Sequence, residues 1–258
     1  MFSLETLTIG LLTGLLSGTF GVGGGIVCTP LLRLWLHYSA HEAVGTTLAL
    51  IVPTSLAGAL NYARQGKCQY GLVAKMALPA ILACILAAHL TVYVHGGHLM
   101  IAFAGLISVA ALDLLFSFSE KLKTGSASED DRAAINIRLT SCIAIGTLVG
   151  LLSGFFGVGG GFVLIPILLA LYKMPVKQAF GTSLLLVACI SIPGTVSHFW
   201  HGHVKLDSAL TMALSAVPGS ILGSKAALKM KDVYLKKGFG LIMLLVSGFM
   251  AFKEFTGP

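Results

Sequence analysis

One block of residues occurs twice in this chain, and no other feature constrains its fold so tightly. Residues 15–32 read LLSGTFGVGGGIVCTPLL and residues 151–168 read LLSGFFGVGGGFVLIPIL, identical at thirteen of eighteen positions under a shift of 136. The register extends beyond the block. Gly10 and Gly14 fall on Gly146 and Gly150, and AVGTTLAL (43–50) falls on AFGTSLLL (179–186). Ser55, Gly58 and Gly66 fall on Ser191, Gly194 and Gly202; a small indel follows, after which Pro79 resembles Pro218. Leucines match by coincidence in any apolar chain, but glycines and serines in one register do not, so the chain is a duplicated unit.

Composition says where that unit lives. Charged residues make up 10% of the 258 and apolar residues 56%, with a mean hydropathy of +0.91. A soluble domain carries roughly 25% charged residues, so this chain cannot coat a water-facing surface. Its apolar content also excludes disorder. The surface must therefore meet the lipid bilayer. Each half reads as five hydrophobic segments, at about 4–20, 26–36, 43–63, 70–92 and 98–118, then 138–156, 162–172, 178–199, 207–228 and 234–252. The second segment of each half follows GVGGG and is only eleven residues long. That is roughly 16 Å of helix, about half of a 30 Å hydrocarbon core. The expected fold is an all-α polytopic membrane protein of two inverted repeats, each with a glycine-broken re-entrant helix pair plus three transmembrane helices. The repeats span 1–118 and 138–258, joined by a polar linker at 119–137 that holds Glu120, Lys121, Lys123, Glu129, Asp130, Asp131 and Arg132.

Charge counting favours that arrangement over two parallel repeats with a kinked first crossing. With the linker in the cytoplasm, the hairpin arrangement puts twelve basic residues inside, among them Arg64, Lys67, Lys173, Lys177 and the Lys229–Lys237 cluster. Only Lys205 and Lys253 remain outside, with both termini. Parallel repeats would split this charge and oppose the positive-inside rule. The net charge of +7 then reflects cytoplasmic loops. No basic stripe with interleaved aromatics appears, which argues against nucleic acid. The first apolar run has no basic residue before it and no clear cleavage site after it, so it does not read as a cleavable signal.

The chemistry is expected at the two glycine runs. Irregular backbone at membrane depth survives only against protein or a water-filled cavity. Glycine takes positive φ without steric cost and lets other groups approach the backbone. The short helices start at these glycines, and a helix N-terminus carries unpaired N–H groups and partial positive charge that attract anions. Inverted repeats bring two such breaks together near midplane. The candidate anion pocket is therefore Gly23, Gly24 and Gly25 with Gly159, Gly160 and Gly161. Its hydroxyl walls would be Thr46, Thr47, Thr182 and Ser183, then Ser17 and Ser153, although each hydroxyl is as well explained by a bond back to its own helix. The spacing-four series Gly10, Gly14, Gly18 and Gly146, Gly150, Gly154 reads as helix packing alone. Pro30 and Pro166 shape the short helices. Arg33, with Leu169 as its mate, stands outside the duplicated site.

No catalytic residue, cofactor or metal site is expected. HEAVG (41–45) is not HExxH, and GxSxG, a Walker lysine and paired catalytic carboxylates are all missing. The five cysteines lack a CxxC pair and read as packing residues. His198, His201 and His203 cluster near one outer loop, too few for a closed zinc site, which leaves a solvated loop or a proton relay through His198.

The twin glycine blocks, each followed by a GT(T/S) segment and separated by a central polar linker, resemble the sulfite exporter TauE/SafE family, also called the toluene-sulfonate uptake permeases. The resemblance runs from about Leu7 to Phe252. It implies a multi-pass permease of a prokaryotic-type cell inner membrane. It also implies a small sulfur-containing anion as substrate, such as sulfite, a sulfonate, sulfoacetate or thiosulfate; with the inverted repeats, the expected mode of movement is alternating access. An anion channel and a non-transporting membrane assembly subunit are the alternatives; homo-oligomerisation is left open.

Overall fold

Ten α-helices carry the residues described by a computed structural model, 4–116 and 139–256. The expected linker at 119–137 lies outside the described residues. The first half gives α1 (Leu4–Phe20), α2 (Gly25–Leu34), α3 (Ala40–Arg64), α4 (Tyr70–Thr91) and α5 (Gly96–Phe116). The second gives α6 (Leu139–Phe156), α7 (Gly161–Ala170), α8 (Val176–Trp200), α9 (Leu206–Lys229) and α10 (Asp232–Thr256). The five-and-five division expected from hydropathy is observed, with boundaries shifted by at most four residues. Seven of the described helices are long and apolar enough to cross a bilayer: α3, α4, α5, α6, α8, α9 and α10. The re-entrant reading called for six; α6, at 18 residues, is one longer than its counterpart α1 at 17.

The halves interlock. α1 packs lengthwise on α9 of the other repeat, and α6 packs in the same way on α4. Gly10, Gly14 and Gly18 sit against the backbone of Met212, Ala216 and Ser220, so the residue numbers rise together and the two helices run in the same sense. Gly146, Gly150 and Gly154 repeat this against Met76, Ala80 and Cys84. Any Cβ at these glycines would strike a facing main chain, which is the packing role expected for the spacing-four series. The halves also meet through α3 and α8. There Gly58 faces Leu184, Gly181 faces Tyr62 and Gly194 faces Leu48, so these two mates run in opposite senses.

The short helices turn back. The Thr54 hydroxyl of α3 donates to the Gly23 carbonyl at 3.2 Å, and Thr29 of α2 donates to Thr47 at 3.2 Å. As α2 advances it therefore descends towards the beginning of α3, whose N-terminus is held by a Ser39–Glu42 capping box. Tight turns at His37 (φ 54°) and Lys173 (φ 47°), which are repeat mates, follow the two short helices.

Leu78, Leu82, Leu86 and Leu90 form an exposed row on α4, and Leu206, Leu210, Leu214 and Leu222 do so on α9. Rows of leucine left exposed at helical spacing suit lipid. The two ends of the bundle differ in charge. One end gathers Arg64, Lys67, Lys173, Lys177 and Lys229–Lys237; Lys177 donates to the Leu228 carbonyl at 2.9 Å and lies 3.8 Å from Asp232. The other end gathers His41, His89, His198, His201 and His203, with a Lys205–Glu42 ion pair at 2.9 Å.

Candidate functional site

The two GVGGG runs adopt the same backbone. Gly21, Gly23 and Gly24 have φ of 74°, 81° and 94°; Gly157, Gly159 and Gly160 have 68°, 76° and 70°. An L side chain is strained in that left-handed region, which is why glycine recurs there. Gly24 and Gly160 are the left-handed N-caps of α2 and α7, and Gly25 and Gly161 open those helices.

The breaks touch one another. Gly25 abuts the backbone of Val158, and Gly161 abuts that of Val22. Ile51 and Val187, themselves repeat mates, stand against both loops: side-chain atoms of each lie within 3.6 Å of where a Cβ would sit on Gly23 or Gly159. All of this is buried. The amide N–H groups of Val22 through Ile26 meet no acceptor within hydrogen-bond distance among the described residues, nor do those of Val158 through Phe162. Ten unpaired donors thus lie in the two breaks, where the halves meet. A buried unpaired amide costs about 1–3 kcal/mol, so this concentration calls for an acceptor.

The sequence-predicted hydroxyls separate into two groups. Thr46 and Thr182 are already engaged, since they accept the backbone N–H of Lys205 (3.0 Å) and Gln69 (3.1 Å). Each thereby fastens the start of a helix in the opposite repeat, α9 and α4. Thr47 accepts from Thr29. Ser17, Ser153 and Ser183, by contrast, are buried hydroxyls with no hydrogen-bond partner, and so is Thr13. Ser17 and Thr13 lie against Gly24, and the Ser183 oxygen lies 2.9 Å from where a Cβ would sit on Gly161. Thr13, Ser17 and Ser183 therefore stand beside the broken segments.

Sequence reading missed three contributors. Thr13 and Thr29 have Val149 and Ile165 as mates, so a search for what the halves share passed over them. Tyr62 was missed as well. Its hydroxyl donates to the Gly18 carbonyl at 3.2 Å, and its mate His198 meets the Gly154 carbonyl at 3.0 Å. Gly18 and Gly154 each lie three residues before a break, where the helix ladder runs out. These side chains satisfy carbonyls that the broken helix leaves free. Only the different side-chain chemistry at matching positions, phenol and imidazole, could have signalled the pair.

Comparison with known proteins finds membrane transporters. The sequence model described as "Sulfite exporter TauE/SafE" matches residues 6–250. A "Probable membrane transporter protein" of Xylella fastidiosa is 28% identical over 97% of this chain and 95% of its own length. "Probable membrane transporter protein YunE" of Bacillus subtilis is 26% identical over 92% of each chain. A "Probable membrane transporter protein" of Haemophilus influenzae is 28% identical over 95% of this chain and 97% of its own. No solved structure matches.

Proposed function

This chain belongs to the sulfite exporter TauE/SafE family, a family of multi-pass membrane transporters, and from that premise we propose that it carries a small sulfur-containing anion through the paired glycine breaks. Sulfite, a sulfonate, sulfoacetate and thiosulfate fit the chemistry: compact, anionic, and rich in oxygen acceptors. The observation that supports this reading is the meeting of ten unpaired amides at the two breaks, beside Ser17 and Ser183, whose hydroxyls like that of Ser153 are unpaired, and with no buried cation among these groups. Such a pocket binds an anion through partial charges, and it can release that anion more readily than a lysine would.

The two halves act as inverted repeats in this proposal. Opposite senses for α3 and α8, and the exchange of α1 and α6 onto the other repeat, support it. Closure by Ile51 and Val187 corresponds to an occluded state. Rocking of one half against the other then opens the breaks to one face at a time, the ordinary route of alternating access. The lysine-rich end, which also holds the end of α5 and the start of α6, faces the cytoplasm, and the histidine-rich end faces outward across the cell inner membrane. The transporter acts without an enzymatic step.

A thermal-shift screen of the purified protein against sulfite, sulfate, thiosulfate, sulfoacetate and taurine tests the substrate class. A ligand at one hundred times its Kd stabilises the native state by about 2.7 kcal/mol. A flat response to all five ends the substrate proposal. Concentrative uptake of the hit in proteoliposomes then separates a carrier from a channel, which only equilibrates.

A further inference from the structure

At the histidine-rich end, five imidazoles form a graded chain from water to the second glycine break. His89 and His201 are exposed, with ring centroids 4.9 Å apart. His201 stands 5.8 Å from His203, which is half-buried and also 5.1 Å from His41. His203 stands 5.7 Å from His198, which is fully buried. Among the described residues no three metal-ligating groups are arranged to hold an ion, so the cluster does not read as a metal centre.

The tautomers follow from the partners. A carbonyl oxygen only accepts, so His198 Nε2, 3.0 Å from the Gly154 carbonyl, carries a hydrogen. In the neutral ring His198 Nδ1 is then a bare lone pair. The Nδ1 of His203 lies 3.4 Å from it. His198 can gain a proton only at Nδ1, and that atom faces His203.

We propose that His203 and His198 form a proton relay from the histidine-rich end of the bundle to the second glycine break, and that the protein moves its anion together with a proton. The transfer balances. A proton added to His203 Nε2 makes that ring cationic, and its Nδ1 hydrogen passes to His198 Nδ1. His203 is left neutral with its hydrogen on Nε2, and His198 becomes an imidazolium donating from both nitrogens. The charge now sits on the His198 ring, hydrogen-bonded to the Gly154 carbonyl, three residues before Gly157. An anion at the unpaired amides gains a full positive charge nearby, so anion and proton each raise the affinity for the other.

Neighbouring groups shape this step. α3 presents His41 and Glu42, α4 presents His89, the loop after α8 presents His201 and Lys205, and α6 presents only the Gly154 carbonyl. Glu42 is held by Lys205 and also favours the charged form of His203, while burial, His41 and His201 oppose it. His203 therefore loads below the ordinary histidine pH and releases readily. The first half has no equivalent, because Tyr62 and Lys67 occupy the positions of His198 and His203.

Proton loading stands apart from the substrate reading; its coupling to an anion rests on that reading. Hydrogen–deuterium exchange of the full-length protein, corrected for intrinsic rate, tests loading without substrate. Exchange across 157–161 should change at least about fivefold, the lower range of site-to-site coupling, as pH falls below 6.5. Exchange across 21–25 should stay flat. His198→Tyr, which copies the first half, and His203→Gln, which leaves His198 in place, should both flatten the response. An equal response at both breaks, no response, or a response retained in His203→Gln overturns the relay. In sulfite-loaded proteoliposomes with an internal pH dye, wild type should move protons with sulfite. His203→Gln should exchange sulfite without them. Proton-free sulfite transport by the wild type overturns the coupling; absence of any sulfite movement overturns the substrate reading and leaves the exchange result to judge the relay.

Discussion

The two glycine breaks share a backbone but not their surroundings. Beside the first stand Thr13, Cys28, Thr29 and Thr47; at the matching positions of the second stand Val149, Leu164, Ile165 and Ser183. Tyr62 fastens the first broken helix and His198 the second. Duplication fixed the main-chain geometry in both halves, because glycine at positive φ and close contact admits no substitute. Side chains that only face the breaks were free to diverge. One half became a richer set of hydroxyls and the other acquired a group that titrates. If both breaks bind the anion as proposed, their unlike neighbours make the two halves respond unequally.

The shared part is tested first, with the largest expected effect. Gly14→Ala and Gly150→Ala each drive a methyl into the main chain of Ala216 and Ala80. Each should lower stability by about 3 kcal/mol, the upper range for overpacking, and by similar amounts. Thermal unfolding in detergent measures this. An alanine tolerated in one half alone would break the idea of a common scaffold.

The divergent part comes next. Thr29→Val removes a buried hydrogen bond to Thr47 and should cost about 1 kcal/mol. It should also weaken the thermal shift given by the best anion. Ile165→Thr, which makes the second half resemble the first, buries a hydroxyl and should cost about 1–3 kcal/mol. If Thr29→Val leaves the anion-dependent shift intact, the polar half is a packing difference only.

Acidification gives a smaller change with a definite sign. Burial, His41 and His201 hold His203 below the usual histidine value. The unfolded chain then binds a proton that the folded chain resists, so the stability from neutral His203 is present above pH 6.5 and is lost as pH falls below it. His203→Gln should flatten the melting temperature over that interval. A wild-type profile that rises on acidification would contradict the sign.

Much of the architecture was legible in the sequence, and for physical reasons. The hydrophobic segments, the short second helix of each half and the glycine zippers follow from length, periodicity and repetition; α2 and α7 begin one residue from where they were expected. Of the candidate site, only the duplicated part could be read from the sequence. Gly23–Gly25 and Gly159–Gly161 do meet at the centre. Thr46 and Thr182, also duplicated, instead anchor the starts of α9 and α4, and repetition cannot distinguish a conserved anchor from a conserved ligand. Thr13 and Thr29 were hidden because their mates are apolar. The tautomer of His198 was hidden because it depends on a carbonyl forty-four residues away in sequence.

The smallest effect on stability discriminates most sharply. Ser17 and Ser153 are repeat mates whose hydroxyls are buried without a partner. A hydroxyl that makes no bond in the resting protein contributes nothing to its stability and carries a desolvation cost. Ser17→Ala and Ser153→Ala should therefore shift stability by no more than about 0.5 kcal/mol, or raise it slightly. A packing serine and a ligand serine part company at the next measurement. If these oxygens wait for an anion, each alanine should reduce the ligand-induced thermal shift and slow uptake, although the apo protein is as stable as wild type. Ser17→Ala should lose less where Thr13 supplies a second free hydroxyl at the first break. Ser153→Ala should lose more, because its neighbour there is Val149. Equal and negligible losses would mean that the hydroxyls only fill space between helices, and that the amides alone receive the anion.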